Sequence, residues 1–448
     1  MTERLQSLTA ELLARAKAAG ASAADAMAVD GTSISIDVRN GRLEQAERSE
    51  GIEIGLRVLV GRRQAIVSAS DTSAQTIDTM AERAEAMARE APEDDSLGLA
   101  DPSELAVEWD LAALELADPT SDPAPAELEE DARRAEAASL SVKGVSQCQS
   151  TSAGYHRRNV HIAASNGFSG GYERTSRGIS AVAITGEGLG MERDWSSESR
   201  VFQADLPDAA EIGRQAGQRA AERAGARKPA TGAYPVVFDE RVAASLVGHL
   251  LAAANGSAVT RGVSWLRDAL GQQVLPTALS VVEDPHRPRI SASRPFDAEG
   301  LATARRAIVE NGILTGWTLD LGTARRLGMK STASAARGVG SPPGPSVTNI
   351  ALTQGDKSRA DLLAEMGTGL LVTSLIGSSI NATTGDYSRG ASGFWVENGA
   401  IAYPVNECTI AGNLRDMLMA IIPANDARPH LSHVVPSLLV EGLTLAGA

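Results

Sequence analysis

Histidine is the residue type in this chain that most directly suggests catalytic chemistry, because neutral imidazole is a common ligand of catalytic metals. His249 lies in residues 247–252 (VGHLLA), within a run of helical periodicity, and has no glutamate next to it. A metalloprotease helix needs two histidines on one face and a carboxylate that takes a proton from metal-bound water. We therefore interpret His249 as a half-buried, hydrogen-bonded structural residue.

The other histidines give weaker signals. His430 and His433 have a spacing that could chelate a metal in a loop, but no third ligand is obvious nearby. A self-sufficient hydrolase that combines them with His249 stays open as an alternative; it would require the helix flank and the C-terminal loop to meet. His156 and His161 lie on or beside a strand whose alternation predicts that they face the surface.

The chain has one match to a nucleophile motif, which lacks the secondary structure that the motif requires, and it has no motif that binds a cofactor. Residues 167–171 fit the letters G-x-S-x-G, but sheet is predicted to resume at Tyr172, where a nucleophile elbow needs a helix. His286 follows Glu283 and Asp284 in a turn-rich loop that we interpret as a solvated turn. No phosphate-binding or dinucleotide-binding glycine loop is present. We predict no catalytic residue, no metal site and no cofactor bound by this chain.

Residues 385–399 are the stretch richest in specific local geometry. Glycines surround Asp386, Tyr387, Ser388 and Arg389, and Asn398-Gly399 between two apolar runs is a strong hairpin signal. We expect a shaped loop held on a β scaffold. Its residues either cradle a substrate or turn a structural corner, and the residues alone leave both interpretations open.

The charge is unevenly distributed along the 448 residues. The formal net charge is -14, but residues 93–131 hold 14 acidic side chains and no Lys or Arg, which leaves 42 acidic against 42 basic residues elsewhere. No run of Lys and Arg supplies the footprint that a phosphate backbone requires. We therefore predict no direct binding of nucleic acid.

Cysteine content and hydropathy bear on the compartment. Cys148 and Cys408 are far apart in sequence and do not form a CxxC pair, which favours reduced thiols. No basic leader precedes an apolar core, and no window of about 18 apolar residues exists. We predict a cytoplasmic protein with no membrane association.

Periodicity divides the chain into four segments. Residues 1–90 read as an N-terminal α+β domain, 91–131 as an acidic, proline-rich linker, 132–228 as a middle α+β domain, and 229–448 as a C-terminal β-rich domain with one buried helix. Asp239 is the expected N-cap of that helix, whose apolar stripe runs over residues 242–254. Four Asn-Gly turns flanked by strands indicate antiparallel hairpins. The predicted class is α+β, with hairpin-rich antiparallel sheets and packed helices in several domains.

Several short motifs in one order resemble the TldD/PmbA family, and within it the PmbA (TldE) branch. They are residues 283–286 (EDPH), 295–300 (PFDAEG), 311–314 (NGIL), 365–370 (EMGTGL), 385–399 and 409–414 (TIAGNL). The N-terminal meander and its helix also look like the first domain of the family. The resemblance covers nearly the whole chain and is weakest across the acidic segment and the middle domain.

The resemblance implies a cytoplasmic assembly of two related proteins. A TldD-type subunit carries an HExxxH helix and a C-terminal cysteine as zinc ligands and cuts unfolded or extended peptides in a closed chamber; the PmbA-type subunit is its metal-free partner. This chain has residues 247–252 where the metal helix should fall and residues 428–433 where the cysteine should fall. Cys408 belongs to another motif.

The resemblance thus implies zinc in the partner subunit and none here. It also implies that Asp386, Tyr387, Ser388 and Arg389 form part of a cleft wall or subunit interface. A homodimer of the isolated chain stays open. So does a non-enzymatic role as an interaction modulator, which the older family description, modulator of DNA gyrase, suggests.

Overall fold

Long antiparallel strands and short helices build several sheets, so the predicted α+β class is confirmed. The structure is a computed structural model and describes residues 2–447. No helix in this described range is long and apolar enough to cross a membrane.

The N-terminal region is a helix followed by a β meander and a second helix. Its elements are α1 (Thr2–Ala19), β1 (Ala23–Arg39), β2 (Arg42–Val60), β3 (Arg63–Ala69) and α2 (Ala74–Glu90). The first helix ends at Gly20, whose φ of 105° suits a glycine C-cap. Asn40 and Gly41 both have positive φ, which a type I′ hairpin turn requires.

The acidic segment contains two short helical turns, a 3₁₀ turn at Pro102–Glu104 and α3 (Leu111–Leu114). Its carboxylates are partly neutralised by the C-terminal region: Asp94 pairs with Arg326, and Glu115 lies 2.9 Å from Arg289. Much of the negative charge that distinguishes this segment in the sequence is therefore turned towards cations of the same chain.

The middle region continues the N-terminal sheet. Its elements are α4 (Pro125–Leu140), β4 (Val145–Ala164), β5 (Ser169–Thr185), β6 (Glu192–Arg200) and α5 (Ala209–Glu222). The strand order is β3-β2-β1-β4-β5-β6, and β1 pairs with β4 from Asp25 to Val38. The two regions that the sequence divides at an acidic segment thus share one six-stranded sheet.

Helices α4 and α5 cross on one face of this sheet at very short range. A Cβ built on Gly213 would lie 1.9 Å from the carbonyl oxygen of Ala135. Only glycine allows this approach, because it has no Cβ.

The C-terminal region holds the remaining elements. They are β7 (Gly232–Phe238), α6 (Glu240–Ala253), α7 (Gly256–Thr260), β8 (Val281–Glu283), β9 (Arg306–Glu310), β10 (Ile313–Leu314), α8 (Leu321–Leu327), β11 (Ala335–Ala336), β12 (Gly344–Pro345), β13 (Ile350–Leu352), α9 (Arg359–Met366), β14 (Gly369–Ile380), β15 (Asp386–Glu397), β16 (Ala400–Asn413), α10 (Leu414–Met419), β17 (Ile422–Pro423), β18 (His433–Val434) and β19 (Leu438–Ala446).

Five strands of this region close into a ring, and α6 packs against them in a shared core. The order is β16-β15-β14-β7-β19, and β19 pairs back onto β16, while β10-β9-β8-β13-β18 form a second sheet. The side chain of Asp239 accepts a hydrogen bond from the Arg241 N–H, and Leu246 and Leu250 of α6 are buried in the largest core. The predicted helix, its cap and its apolar stripe are confirmed.

The C-terminal region covers the face of the six-stranded sheet that α1 and α2 leave open. Phe296 packs against Phe168 at 5.0 Å between ring centroids, and the carbonyl oxygen of Val339 sits where a Cβ on Gly55 would be, 1.9 Å away. Arg337 reaches into the sheet and pairs with Asp25. Both faces of the sheet are therefore covered around Met27, Ile54 and Ile162, while the far half of β2 stays exposed.

This double coverage corrects the prediction for His161. The side chain is buried, and its Nδ1 lies 2.9 Å from the Thr9 hydroxyl of α1. His161 does face away from Val160 and Ile162, as alternation along β4 predicts, but that face of the strand packs against α1 and not against water. His156, farther along the strand, is exposed as predicted.

Candidate functional site

Asp386, Tyr387, Ser388 and Arg389 lie in strand β15 and not in a loop, which corrects the expected local structure. The glycines that suggested a loop serve the sheet instead. A Cβ on Gly393 would lie 1.9 Å from the Leu371 carbonyl oxygen on β14, where the strand register shifts. These glycines allow close approach of strands at a bulge.

Strand alternation divides the four residues into two pairs. Asp386 is exposed and accepts hydrogen bonds from the Thr384 hydroxyl and the Asn413 amide, which hold the pKa of its carboxyl below the ordinary value. Tyr387 is 2% exposed and belongs to the core around α6. Arg389, two residues on, shares the face of Tyr387.

His249 of α6 meets this face. Its ring lies edge-on to Tyr387, with 5.9 Å between centroids and 73° between planes. Burial and then the Arg389 charge lower the pKa of His249, whereas burial raises the pKa of Tyr387 to about 12. At neutral pH the site therefore contains a neutral imidazole and a neutral phenol.

The predicted half-burial of His249 is confirmed, but its predicted hydrogen bond is wrong within residues 2–447. Its buried Nε2 has no hydrogen-bond partner there. The Tyr387 hydroxyl likewise lacks an acceptor in the same range.

Arg389 supplies the charge of the cluster. Its Nε donates to the Gly377 carbonyl oxygen on β14 at 2.8 Å, and no carboxylate of the described chain lies within 4.0 Å of its guanidinium. We call His249, Tyr387 and Arg389 the α6–β15 cluster. It combines one uncompensated cation with two polar groups that have unused hydrogen-bonding capacity.

The other two histidines of the hydrolase alternative lie in different surroundings. His430 Nε2 is 3.4 Å from a Glu198 carboxylate oxygen, in a cleft of about 280 Å³ between β6 and residues 428–432. His433 is in β18, in register with Ile350. The structure brings neither of them to His249.

The side chains present do not fit the zinc site that a metallopeptidase fold would imply. Residues 2–447 contain no group of three or more His, Cys, Asp or Glu placed to hold a metal ion. Cys408 donates its thiol hydrogen to the Ala391 carbonyl oxygen, and burial raises its pKa to about 11. A protonated thiol is a poor metal ligand.

The remaining sequence candidates have structural partners. Glu283 pairs with Arg306 at 2.8 Å, and His286 Nε2 lies 2.9 Å from the Thr303 hydroxyl. Glu283 is buried, so the expected solvated turn is wrong for this residue. Ser169 opens β5 and no helix follows, which confirms that the elbow geometry is missing.

Asp297, which is buried, and Glu299, which is half-buried, form an acidic pair that sequence reasoning did not identify as a site. Asp297 accepts backbone hydrogen bonds from Glu299, Leu301 and Ala335, which explains why this turn needs an aspartate. Burial first, and the Asp297 charge second, raise the pKa of Glu299 to about 8. Its only sequence signal was membership of the 295–300 motif.

Each of the three regions of the chain matches a domain of one known protein family. Family models described as PmbA/TldA metallopeptidase domain 1, central domain and C-terminal domain match residues 24–88, 118–226 and 231–447. The metalloprotease PmbA of Escherichia coli O157:H7 is 38% identical over 93% of this chain and 90% of that relative. The Haemophilus influenzae metalloprotease PmbA homolog is 37% identical over 96% and 93%.

Solved structures share the fold over nearly full length. A protein described as a modulator of DNA gyrase, from Bacteroides thetaiotaomicron, superposes with a TM-score of 0.91 at 27% identity and covers 99% of this chain and 98% of its own. TldE from Thermococcus kodakarensis gives 0.86 at 19% identity over 98% and 100%, which shows the fold alone. The motif-based resemblance is confirmed, and the chain belongs to the PmbA/TldD metallopeptidase family.

Proposed function

We propose that this chain is the metal-free subunit of a two-protein metallopeptidase assembly, in which a TldD-type subunit supplies the zinc-bound water. The observation that carries the proposal is the composition of α6. Residues 247–252 contain one histidine, no second histidine and no glutamate, and Leu250 and Leu251 are buried. The helix lacks both the ligand pair and the general base that the hydrolysis requires.

The chain's contribution in this assembly is structural and recognitive. Strands β14, β15 and β16 form a rigid wall, because they close into one ring with β7 and β19. A rigid wall can hold an extended peptide through backbone contacts that tolerate many sequences. The α6–β15 cluster lies on this wall, where it would orient the peptide or contact the partner subunit.

We also assign the assembly to the cytoplasm. Cys148 and Cys408 are free and buried, which agrees with a compartment that keeps thiols reduced.

Reconstitution tests the proposal. The chain is purified alone, and together with an HExxxH-bearing family member from the same organism. We expect a complex that contains both chains by native mass spectrometry, cleavage of an unfolded peptide by the complex, no cleavage by this chain alone, and zinc that follows the partner. A chain that stays apart and leaves the partner's peptidase activity unchanged would contradict the proposal.

Substitution of Arg389 by alanine probes the wall directly. We expect weaker assembly or lower peptidase activity of the complex, with thermal unfolding of the isolated chain little changed, because Arg389 is half-buried and is in no ion pair among the described residues. Arg415→Ala is the matched control: it removes a nearby cation that stacks on Trp265. An unaffected Arg389→Ala complex would remove β15 from the interface and the cleft.

The same preparations separate the alternatives. Stoichiometric metal in the isolated chain, lost on His430→Ala, would support the self-sufficient hydrolase. Absence of any complex with the metallopeptidase partner, with retention of another protein by the chain, would favour the interaction modulator. Native mass of the chain alone reports whether it forms a homodimer.

A further inference from the structure

The α6–β15 cluster presents more hydrogen-bond donors than the described chain satisfies. Arg389 is held by one bond from its Nε, and its two Nη groups have no carbonyl or carboxylate acceptor among the groups that the structure describes. The Tyr387 hydroxyl, which lies beside Arg389, has no acceptor for its hydrogen among the described residues, and the buried Nε2 of His249 has no partner there. Buried polar groups are normally paired, so two unsatisfied buried groups beside a half-buried guanidinium point to a place for a ligand.

We propose that this cluster binds the α-carboxylate at the C-terminal end of a peptide. The inference rests on the proposed function, since it takes the ligand of the cleft wall to be a peptide. The inference adds to that function the chemical group that is bound and the orientation of the bound peptide.

The donor set matches a carboxylate. A guanidinium binds a carboxylate through two parallel N–H···O bonds, and its single charge neutralises a single negative charge. A phenol O–H and a neutral imidazole N–H add donors without adding charge. A phosphate, with up to two negative charges and three acceptor oxygens, calls for more positive charge than one arginine provides.

The scaffold fixes these donors in place. Tyr387 and Arg389 are two residues apart on one strand and so point the same way, while the Gly377 carbonyl oxygen sets the plane of the guanidinium. His249 is held by α6, whose apolar side is buried in the core. Arg389 is half-buried and can be reached from solvent, whereas the Tyr387 hydroxyl and His249 Nε2 are themselves buried, so the cluster is dry on its inner side.

Electrostatics around the cluster favours an anion. Arg389 is the charged group that acts on both His249 and Tyr387, and no acidic side chain is among the causes of their pKa shifts. The nearest acid on the strand, Asp386, is turned to the opposite face and bonded to Thr384 and Asn413. An incoming carboxylate would therefore meet attraction without competition.

A chemical pair of peptides tests the inference on the isolated chain. A short N-acetylated alanine peptide is prepared as the free acid and as the C-terminal amide, and binding of each is measured by calorimetry. We expect the acid to bind about tenfold or more tightly than the amide, as charge-assisted hydrogen bonds predict. Arg389→Ala should abolish that ratio, and Tyr387→Phe, which keeps the packing, should reduce it.

The control separates a specific site from general electrostatics. Arg415→Ala removes a cation near Trp265 and should leave the ratio unchanged. Equal binding of acid and amide, no binding of either, or an equal loss with Arg415→Ala would each overturn the inference. Because the partner subunit is absent from this assay, its result is independent of whether the assembly forms.

Discussion

Replacing Asp25 with asparagine tests how the C-terminal region is held on the six-stranded sheet. The Asp25 carboxylate lies between two guanidiniums: Arg57 of the same sheet, at 2.6 Å from its Nε, and Arg337 from the C-terminal region. The Asp25 and Arg57 side chains are each 5% exposed and that of Arg337 is 0%. One buried carboxylate thus balances two buried cations.

The expected loss of stability follows from the burial of these three side chains. Removing one partner of a buried ion pair leaves an uncompensated charge and costs about 3–5 kcal/mol. The Asp25→Asn substitution would leave two guanidiniums facing each other, so we expect the upper part of that range. Adding Arg337→Met to the Asp25→Asn variant removes one of the stranded cations and should recover part of the loss.

Hydrogen exchange is the suitable assay, because a chain with several packed regions need not unfold in one step. Amides of β1, β2 and residues 335–345 should exchange on the order of 10³-fold faster in Asp25→Asn, since every 1.4 kcal/mol is a factor of ten. Asp37→Asn, on the same strand and without an ion pair in the described range, is the matched control and should change stability by less than about 0.5 kcal/mol.

Two outcomes would refute this reasoning. One is an Asp25→Asn variant as stable as Asp37→Asn. It would show that the ion pairs of Asp25 stabilise the fold no more than an asparagine at the same position does. The other is faster exchange confined to β1 and β2, with residues 335–345 unchanged, which would show that Arg337 does not hold the two regions together.

Two further predictions concern burial and close packing. The pKa of Glu299, raised to about 8 from 4.5, means that the folded chain keeps a proton that the unfolded chain releases, so its stability should fall as pH rises from 4.5 to 8. Glu299→Gln should therefore gain urea resistance relative to the parent chain between pH 5 and pH 8, and a constant difference would contradict this. Gly213→Ala should cost about 1–3 kcal/mol, because its Cβ would strike the Ala135 carbonyl oxygen. Gly248→Ala, which meets nothing within 4 Å, should cost nothing in the same urea titration, and equal effects would exclude helix contact as the cause.

Local chemistry predicted much of the fold. The apolar stripe and Asp239 cap of α6 are where the sequence places them. Asn40-Gly41, Asn311-Gly312 and Asn398-Gly399 all have positive φ at both residues, as type I′ turns require. At Asn166-Gly167 only the glycine does, because the chain there makes a wider connection closed by the Ala164 N–H bond to Phe168.

Long-range contacts were beyond sequence reasoning. Nothing local to β1 or β4 shows that they pair across the acidic segment, and nothing near His161 shows that α1 covers it. The burial of Glu283 and the half-burial of Glu299 likewise depend on residues far along the chain. Such groups look solvated in sequence because their partners are chosen by tertiary packing.

Sequence reasoning could predict the part of the candidate site that lies on one strand, but not the contact between two elements. Alternation along β15 places Tyr387 and Arg389 on one face once the segment is known to be a strand, but its glycines suggested a loop. The contact with His249 joins residues on two elements distant in sequence and could be seen only in the fold. That α6 lacks a second histidine and a glutamate in residues 247–252 could be seen from the sequence, since this depends on residue identity alone.

The shared sheet also sets the order in which the nascent protein acquires structure. Strand β1 needs β4 on its second edge, and the ribosome makes β4 only after the acidic segment. At roughly 5–20 residues per second, β1 waits on the order of 10 s with that edge unpaired. Neighbouring nascent chains on one messenger RNA would each carry such an edge, which is a template for intermolecular pairing. Synthesis of this protein should therefore depend on chaperones that shield β1 until β4 emerges.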